Sequence, residues 1–135
     1  HRARNQVTFF PGALEVLEQL ADSYQLGALT NGNADLQQIG IAELFTFHHS
    51  AETIGKRKPA PDMFHAALES AGVQAHQAVH VGDHPLEDVH AAREHAMHAV
   101  WANLIDLAWP VELDRPRHHI HNLHELPDLV PLFDD

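Results

Sequence analysis

Two short apolar segments of this chain each end at polar, turn-forming residues, and this pattern limits the folds available to the chain. Residues 25–30 are mostly apolar and run into a turn-forming Asn-Gly-Asn sequence. Residues 78–82 are also mostly apolar, and Pro85 soon follows them and opens a helical pattern that extends to about residue 96. Because proline is favoured in the first turn of a helix, the second segment predicts a strand followed by a helix.

The same alternation continues along the chain. Apolar periodicity predicts helices at residues 11–21, 34–40 and 61–70, strands at 45–49 and 98–102, and a weak strand at 119–122 with a short helix at 126–132. Gly72 stands where glycine is preferred after a helix. Strands that alternate with helices at this spacing imply parallel strand–helix units joined by right-handed crossovers. We therefore expect one domain of the α/β class, built on a doubly wound parallel sheet.

The composition narrows the class of partner. The chain has 135 residues, 44% of them hydrophobic and 20% charged, which is ordinary for one soluble globular domain. Its formal net charge of -11 argues against nucleic acid as a partner, because binding a phosphate backbone requires clustered Lys and Arg. No apolar run approaches the roughly 18 residues that span a bilayer, which argues against a membrane partner. The absence of cysteine fits a cytoplasmic location.

Fourteen histidines, several of them within residues 118–124, raise the question of a metal centre. His119 and His121 fall on one face of a predicted strand, but no Cys, Asp or Glu accompanies them at ligand spacing. We therefore interpret them as surface histidines that soften the negative charge at mildly acid pH.

Thr30 lies at the carboxyl end of the first predicted strand, and Asp83 lies at the corresponding end of a later one. In an open parallel sheet, ligands bind at this edge, so these residues can converge on one crevice. Thr30 offers a hydroxyl group, while Asn31 and Gly32 offer backbone N–H groups that suit a phosphate oxygen. The alternative is an ordinary turn, since Asn-Gly needs no functional reason at a strand end.

Lys56 and Lys58 are the only lysines of the chain, and they occupy one basic loop. Lys58 precedes a proline, which favours an extended backbone and projects its side chain from the loop. A fixed ammonium group stabilises the negative charge of a phosphoryl group during transfer. The alternative is a solvated basic loop.

Asp83 and Asp88 form a carboxylate pair around Pro85. Asp83 follows the strand end and Asp88 lies in the first turn of the predicted helix, so both can face one pocket. Mg²⁺ prefers oxygen ligands and uses few protein carboxylates together with several waters. The alternative is that the pair complements the helix macrodipole, which is the only role we assign to Glu87. For His84, a turn cap and a contact with substrate both stay open.

The order and spacing of these residues resemble the haloacid dehalogenase-like hydrolase superfamily. Thr30 matches its second motif, Lys58 its third, and the Gly-Asp pair ending at Asp83 together with Asp88 its fourth. The surrounding sequence agrees, with Leu-Thr-Asn-Gly at the second motif and Lys-Pro-x-Pro-x-x-Phe at the third. The resemblance extends over about residues 9–103.

This resemblance implies a Rossmann-like core of three α/β/α layers and a Mg²⁺-dependent phosphatase that works through an aspartyl-phosphate. The phosphate-binding residues that it implies are Thr30, Asn31, Gly32 and Lys58. Of these, Thr30 and Lys58 would act as catalytic residues, Lys58 by holding both the nucleophile and the phosphate. Asp83 would bind the metal, and Asp88 would support the metal, its water or Lys58.

Within the superfamily, the fourth motif favours a phosphorylated substrate. Family dehalogenases need no metal and lack the Gly-Asp…Asp pattern, which this chain has at Asp83 and Asp88. The chain is similar to the flavin-pathway phosphatases that act on a phosphoribitylamino-pyrimidine, although related small-phosphate hydrolases share these motifs. The resemblance thus implies a small phosphorylated metabolite as substrate.

One motif of the family is missing from this sequence. The Asp-x-Asp-x-Thr or Val nucleophile motif occurs nowhere, no aspartate precedes Pro11, and the usual helical cap is missing too. In the family's sheet, the nucleophile strand is central and lies between the strands that end at Thr30 and Gly82. We therefore expect residues 1–135 to be the C-terminal part of such a core, with these two strands unpaired with each other.

This expectation has consequences for activity. The missing strand would come from an N-terminal part of the protein or from a neighbouring chain, because unpaired strand edges are costly. The 135-residue chain alone should hydrolyse no phosphate ester. Two alternatives stay open: a catalytically degenerate module that binds phosphate and metal in a regulatory role, and dehalogenation by the longer protein.

Overall fold

The computed structural model describes residues 13–31 and 42–134. The strands are β1 (Gly27–Thr30), β2 (Phe47–Ser50), β3 (Val79–Gly82), β4 (His98–Ala102) and β5 (His119–Ile120). The α-helices are α1 (Ala13–Ala21), α2 (Ala51–Ile54), α3 (Asp62–Ala71), α4 (Ala91–Glu94) and α5 (Leu126–Leu129). A π-helical segment, Pro85–His90, leads into α4, and short 3₁₀ segments occupy Ala42–Leu44, Ala75–Gln77, Leu123–Glu125 and Val130–Phe133.

Several sequence predictions fall on other parts of the chain. The helix predicted at 34–40, the start of the helix predicted at 11–21, and Gly32 all lie outside the described residues. Among the helices that are described, none combines the length and the apolar character that a membrane span requires.

The described strands form two parallel sheets. β1 pairs with β2 and places Thr30 opposite Ser50. β4 lies between β3 and β5, with Gly82 opposite Trp101. Parallel neighbours need a crossover connection, and between β3 and β4 the π-helical segment with α4 provides it. The predicted α/β class with a parallel sheet is therefore confirmed.

β4 is buried on both faces, which shows that its sheet is covered from two sides. Ala99 and Trp101 belong to one apolar cluster together with Phe64 of α3, whereas Val100 and Ala102 belong to a second cluster. Alternate side chains of a strand point to opposite faces. The second cluster also contains apolar residues of α1 and α5. The result is the three-layer α/β/α arrangement that the sequence predicts.

β1 and β3 face each other across a groove and are not paired. Within residues 13–31 and 42–134, no hydrogen-bonded ladder joins these two strands. The groove has a volume of about 330 Å³, and its apolar walls include Leu26 and Leu29 on one side and Val79 and Val81 on the other. This is the arrangement expected from the sequence for two strands that flank a central position.

Candidate active site

Thr30 ends β1 at the edge of the sheet where the predicted site lies. Its hydroxyl oxygen Oγ1 lies 3.2 Å from Nε2 of His48, which belongs to the neighbouring strand β2. β2 runs directly into α2, whose first turn is capped by the hydroxyl group of Ser50. The carboxyl end of β1 is thus held beside a capped helix start.

The side chain of Asn31 connects the end of β1 to the loop that carries Lys58. Its Oδ1 accepts a hydrogen bond from the backbone N–H of Lys58 (2.7 Å), and its Nδ2 donates to the Lys58 carbonyl oxygen (3.1 Å). The same Nδ2 donates to Oε1 of Glu87 (2.8 Å). The sequence predicted a role for the backbone of Asn31. The structure adds a side chain that holds parts of the second, third and fourth motifs together.

Glu87 makes more contacts than a helix-terminal acid needs. Besides accepting from Asn31, its Oε2 lies 3.9 Å from Nη2 of Arg57 and 3.8 Å from Nε2 of His84. The sequence interpretation, in which Glu87 only complements the macrodipole, was therefore incomplete. The hydrogen bond to Asn31 depends on how the end of β1 and the π-helical segment meet in space, and no local sequence pattern indicates this contact.

Lys58 is buried despite its charge. It is 7% exposed, whereas its neighbours Lys56 and Arg57 are exposed. Its Nζ donates to Oδ1 of Asp88 at 2.5 Å and to the carbonyl oxygen of Leu29 at 3.4 Å. The alternative of a solvated basic loop thus applies to Lys56 and Arg57 but not to Lys58.

Asp88 occupies space that Gly82 leaves. A Cβ atom on Gly82 would lie 2.3 to 2.5 Å from atoms of the Asp88 side chain, so only glycine allows this approach. Asp88 comes from the π-helical segment, where the carbonyl oxygen of His84 accepts from the N–H groups of Asp88 (3.0 Å) and Val89 (3.2 Å). The helix predicted at 85–96 therefore starts with a wider turn than an α-helix. That turn sets the carboxylate against β3.

Both carboxylate oxygens of Asp88 accept hydrogen bonds from protein groups. Oδ1 accepts from Nζ of Lys58 and from Nε2 of His80 (2.9 Å), and Oδ2 accepts from the backbone N–H of His84 (3.1 Å). Burial alone would raise the pKa of Asp88. The hydrogen bond and charge of His80, with the charge of Lys58, outweigh burial and hold this pKa well below its usual range. Asp88 is thus ionised at neutral pH.

His84 caps the π-helical segment. Its Nδ1 accepts hydrogen bonds from the backbone N–H groups of Leu86 (3.2 Å) and Glu87 (3.1 Å). Such an acceptor satisfies two of the N–H groups that a helix start leaves without partners. Of the two roles that the sequence left open for His84, the cap is the one that the structure displays.

Asp83 differs from Asp88 in being exposed. Its backbone carbonyl oxygen accepts a hydrogen bond from Nε1 of the buried Trp101 (3.0 Å). Trp101 in turn packs against Trp109, with ring centroids 5.0 Å apart and an interplanar angle of 71°. A buried indole therefore fixes the backbone of Asp83, while the carboxylate stays accessible at the strand end.

The two carboxylates supply the hard oxygen atoms that Mg²⁺ binds. Asp83 is accessible, whereas the oxygens of Asp88 already accept three hydrogen bonds from the protein. Within residues 13–31 and 42–134, no group of three or more His, Asp or Glu side chains is placed to hold a metal ion. The donor set therefore fits Mg²⁺ bound through few protein carboxylates, with a phosphate and waters as further ligands.

His80 is a residue of this site that the sequence analysis missed. It stands two positions before Gly82 on β3, so both residues face the same side of the strand. That shared face is the signal that could have identified it. A histidine in an apolar strand is commonly a packed core residue, and only the position of Asp88 reveals its partner.

The sequence matches the family model described as haloacid dehalogenase-like hydrolase over residues 1–102. Over 87 residues it is 38% identical to the 5-amino-6-(5-phospho-D-ribitylamino)uracil phosphatase YigB of Escherichia coli, an alignment that covers 64% of this chain and 37% of that protein.

Solved structures show the same relationship. The crystal structure of 2-haloacid dehalogenase from Pseudomonas syringae pv. Tomato superposes with a TM-score of 0.92 and 42% identity, covering 98% of this chain and 57% of that one. The crystal structure of HAD phosphatase from Thermococcus onnurineus has a TM-score of 0.85 and 28% identity, covering 96% of this chain and 61% of that one.

This chain spans about half the length of the proteins that it matches. The matched part contains strands β1 to β4 and the positions of Thr30, Lys58, Asp83 and Asp88. The resemblance seen in the sequence is therefore confirmed, and the chain belongs to the haloacid dehalogenase-like hydrolase family.

Proposed function

We propose that the protein containing this chain is a phosphatase that hydrolyses a small phosphate monoester with Mg²⁺ through an aspartyl-phosphate. The observation that supports this most is the buried Lys58–Asp88 pair beside the exposed carboxylate of Asp83. These groups lie at the carboxyl edge of a parallel sheet, where ligands of such sheets bind. The names of the Escherichia coli and Thermococcus relatives, both phosphatases, support the same choice.

In this proposal, Lys58 supplies a fixed positive charge to the phosphoryl oxygens. One of its three ammonium protons goes to Asp88 and one to the carbonyl oxygen of Leu29, which leaves one for a ligand. Because the ammonium group is held before substrate arrives, little reorganisation is required as charge develops. Thr30, with the backbone N–H groups of Asn31 and Gly32, would donate to the other phosphoryl oxygens.

Asp83 would bind Mg²⁺, which when bound supplies positive charge to the phosphoryl oxygens. The hydrogen bond from Trp101 keeps the backbone of Asp83 in place during this binding. Asp88 would act mainly through Lys58, because its oxygens already accept three hydrogen bonds from the protein.

The carboxylate nucleophile would come from a strand that lies between β1 and β3. The facing edges of these strands offer backbone groups to a parallel strand, and the apolar walls of the groove accept its side chains. A carboxylate at the carboxyl end of that strand would lie near Lys58. We assign the strand to an N-terminal part of the same protein, because the family's nucleophile motif stands before the motif that Thr30 matches. Complementation by a neighbouring chain is the alternative.

The partner in this proposal is a small phosphorylated metabolite. The net charge of -11 disfavours nucleic acid, whereas a local cation such as Lys58 can still attract a small anion. A chain without cysteine also supports a cytoplasmic location for the protein.

The test compares two products released by the whole protein. Phosphate release from p-nitrophenyl phosphate should require Mg²⁺ and should stop when EDTA is added. Chloride release from 2-chloropropionate should be undetectable. The 135-residue chain assayed alone should release neither product, because it contains no nucleophile motif.

Dehalogenation is the second candidate, because the Pseudomonas structure with 42% identity is named a 2-haloacid dehalogenase. The two candidates differ in their need for Asp83. In a metal-dependent phosphatase, Asp83→Asn should lower turnover strongly, whereas a dehalogenase without metal should tolerate it. Chloride release that is insensitive to EDTA and to Asp83→Asn would overturn the phosphatase proposal. A degenerate regulatory module would bind phosphate and Mg²⁺ but release neither product.

A further inference from the structure

We propose that His80 is a positioning residue, which holds the carboxylate of Asp88 and through it keeps Lys58 oriented toward the phosphate. This inference rests on the proposed function, in which Lys58 is a phosphate ligand. His80 lies outside the motif residues that the sequence analysis selected, and its role follows from contacts in the structure alone.

The first observation is the shape of the β3 surface. His80 and Gly82 face the same side of this strand, and Gly82 carries no side chain. The carboxyl group of Asp88 fills the space above Gly82 and lies directly beside the His80 ring. One strand face therefore supplies both the space for Asp88 and a hydrogen-bonding group next to it.

The second observation is the direction of the hydrogen bond. An ionised carboxylate only accepts hydrogen bonds, so Nε2 of His80 must carry the proton and donate to Oδ1 of Asp88. Nζ of Lys58 donates to the same oxygen. His80 and Lys58 thus donate to the same oxygen atom of Asp88. His80 does so from a strand and Lys58 from a loop.

The third observation is that His80 is itself held in place. Its side chain is 11% exposed, and its ring meets the ring of Phe64 edge-on, with centroids 5.1 Å apart and an interplanar angle of 82°. Phe64 is completely buried in α3. The N–H group of His80 therefore points at Asp88 from a ring that packing has already fixed.

Together these contacts explain how Lys58 can face a ligand. With His80 and the backbone of His84 holding the carboxylate, Asp88 does not depend on Lys58 for its orientation. Without His80, Oδ1 would have Lys58 as its remaining partner, and ammonium and carboxylate would move as a pair. An arriving phosphate would then compete with Asp88 for a less ordered ammonium group.

The experiment follows the ammonium group of Lys58 in the whole protein. In the ¹⁵N-lysine-labelled protein, the buried ammonium group of Lys58 should give a slowly exchanging proton signal, and Lys58→Arg assigns it by removing it. His80→Phe keeps a ring against Phe64 but removes the donor, and it should accelerate exchange about tenfold. His80→Gln keeps a donor and should restore exchange to within about threefold of wild type. His80→Met replaces the Phe variant if that variant does not fold.

His98→Phe is the matched control, because His98 lies on the neighbouring strand and bonds to the backbone carbonyl of His76 instead. It should leave the Lys58 signal unchanged. If His80→Phe also leaves the exchange of Lys58 unchanged, or if His80→Gln fails to restore it, the positioning role is wrong.

Binding of inorganic phosphate, measured by calorimetry on the same variants, separates this inference from the proposed function. His80→Phe should weaken phosphate binding about tenfold, and His80→Gln should restore it. Wild type that binds no phosphate would contradict the role of Lys58 as a phosphate ligand, while the exchange measurement would still decide the role of His80. Unchanged phosphate affinity in a His80→Phe variant with faster exchange would contradict the link from His80 to the ligand.

Discussion

The side chain of Asn31 donates a hydrogen bond to Glu87 (Nδ2 to Oε1, 2.8 Å) and so joins two sheets that share no strand pairing in the described residues. Asn31 follows β1 of the first sheet, and Glu87 belongs to the π-helical segment that follows β3 of the second. The Lys58–Asp88 pair makes a second connection at the same edge. The candidate site is therefore also a polar link between the two sheets.

A double-mutant cycle should measure this link. Removing either side chain deletes the Nδ2–Oε1 hydrogen bond between them, so Asn31→Ala and Glu87→Ala should each lower the free energy of unfolding by about 1–3 kcal/mol. The double variant should cost less than the sum of the two, as measured by urea unfolding of the whole protein. Glu69→Ala, at an exposed position of α3, serves as the control and should be close to neutral. Additive costs in the double variant would show that the two residues do not act together.

Gly82→Ala should be destabilising because of Asp88. The new Cβ atom would overlap the Asp88 side chain, and overpacking of this kind costs about 1–3 kcal/mol of unfolding free energy. In an Asp88→Ala background, the overlap is removed, so the same substitution should cost much less. Urea unfolding of the four proteins in this cycle tests the prediction. An equal cost of Gly82→Ala in both backgrounds would contradict the packing that we describe.

The ionised Asp88 should make the fold sensitive to acid. Its pKa in the folded chain lies below the usual value of about 3.9, so the unfolded chain binds more protons at acid pH. The stability due to this group is complete above that usual value and is lost as the pH falls toward the folded pKa.

Urea unfolding between pH 6 and pH 3 measures this loss. Asp88→Asn should give a flatter dependence of unfolding free energy on pH below about pH 4 than wild type. Asp62→Asn, at an exposed position, should keep the wild-type slope. A wild-type slope in Asp88→Asn would mean that Asp88 is not the group responsible.

Trp101 should affect metal binding through the backbone of Asp83. Trp101→Phe removes the hydrogen bond to the Asp83 carbonyl oxygen, and loss of such outer contacts typically weakens metal affinity about tenfold or more. Trp109→Phe is the matched control, because it removes an indole hydrogen bond to Leu113 instead. In the whole protein, the Mg²⁺ concentration for half-maximal phosphate release should rise in the first variant only. Equal increases in both would point to a general packing effect.

The strand-end residues show what could be predicted from the sequence. Thr30 and Asp83 follow apolar segments, and the rule that ligands bind at the carboxyl ends of parallel strands was enough to place them on one edge. The α/β class followed from the alternation of these segments with helical patterns. Each of these inferences uses only local periodicity and turn chemistry, which a single sequence contains.

The contacts inside the site could not be predicted from the sequence and are seen only in the structure. The burial of Lys58 depends on how its loop packs beside β1, and the partner of His80 depends on where the π-helical segment carries Asp88. A proline-opened helical pattern is compatible with an α-helix or with a wider first turn. The structure has the wider turn, and that turn sets the Asp88 side chain into the space that Gly82 leaves.

The most direct test of the account is a comparison of the two lysines in the whole protein. Lys58→Met removes the buried ammonium group, and Lys56→Met removes an exposed one two residues away. We predict that Lys58→Met lowers kcat/KM for p-nitrophenyl phosphate by about 100-fold to 1,000-fold, while Lys56→Met stays within about threefold of wild type. Near wild-type turnover in Lys58→Met, or an equal loss in both variants, would contradict the claim that the Lys58–Asp88 pair forms the phosphate site.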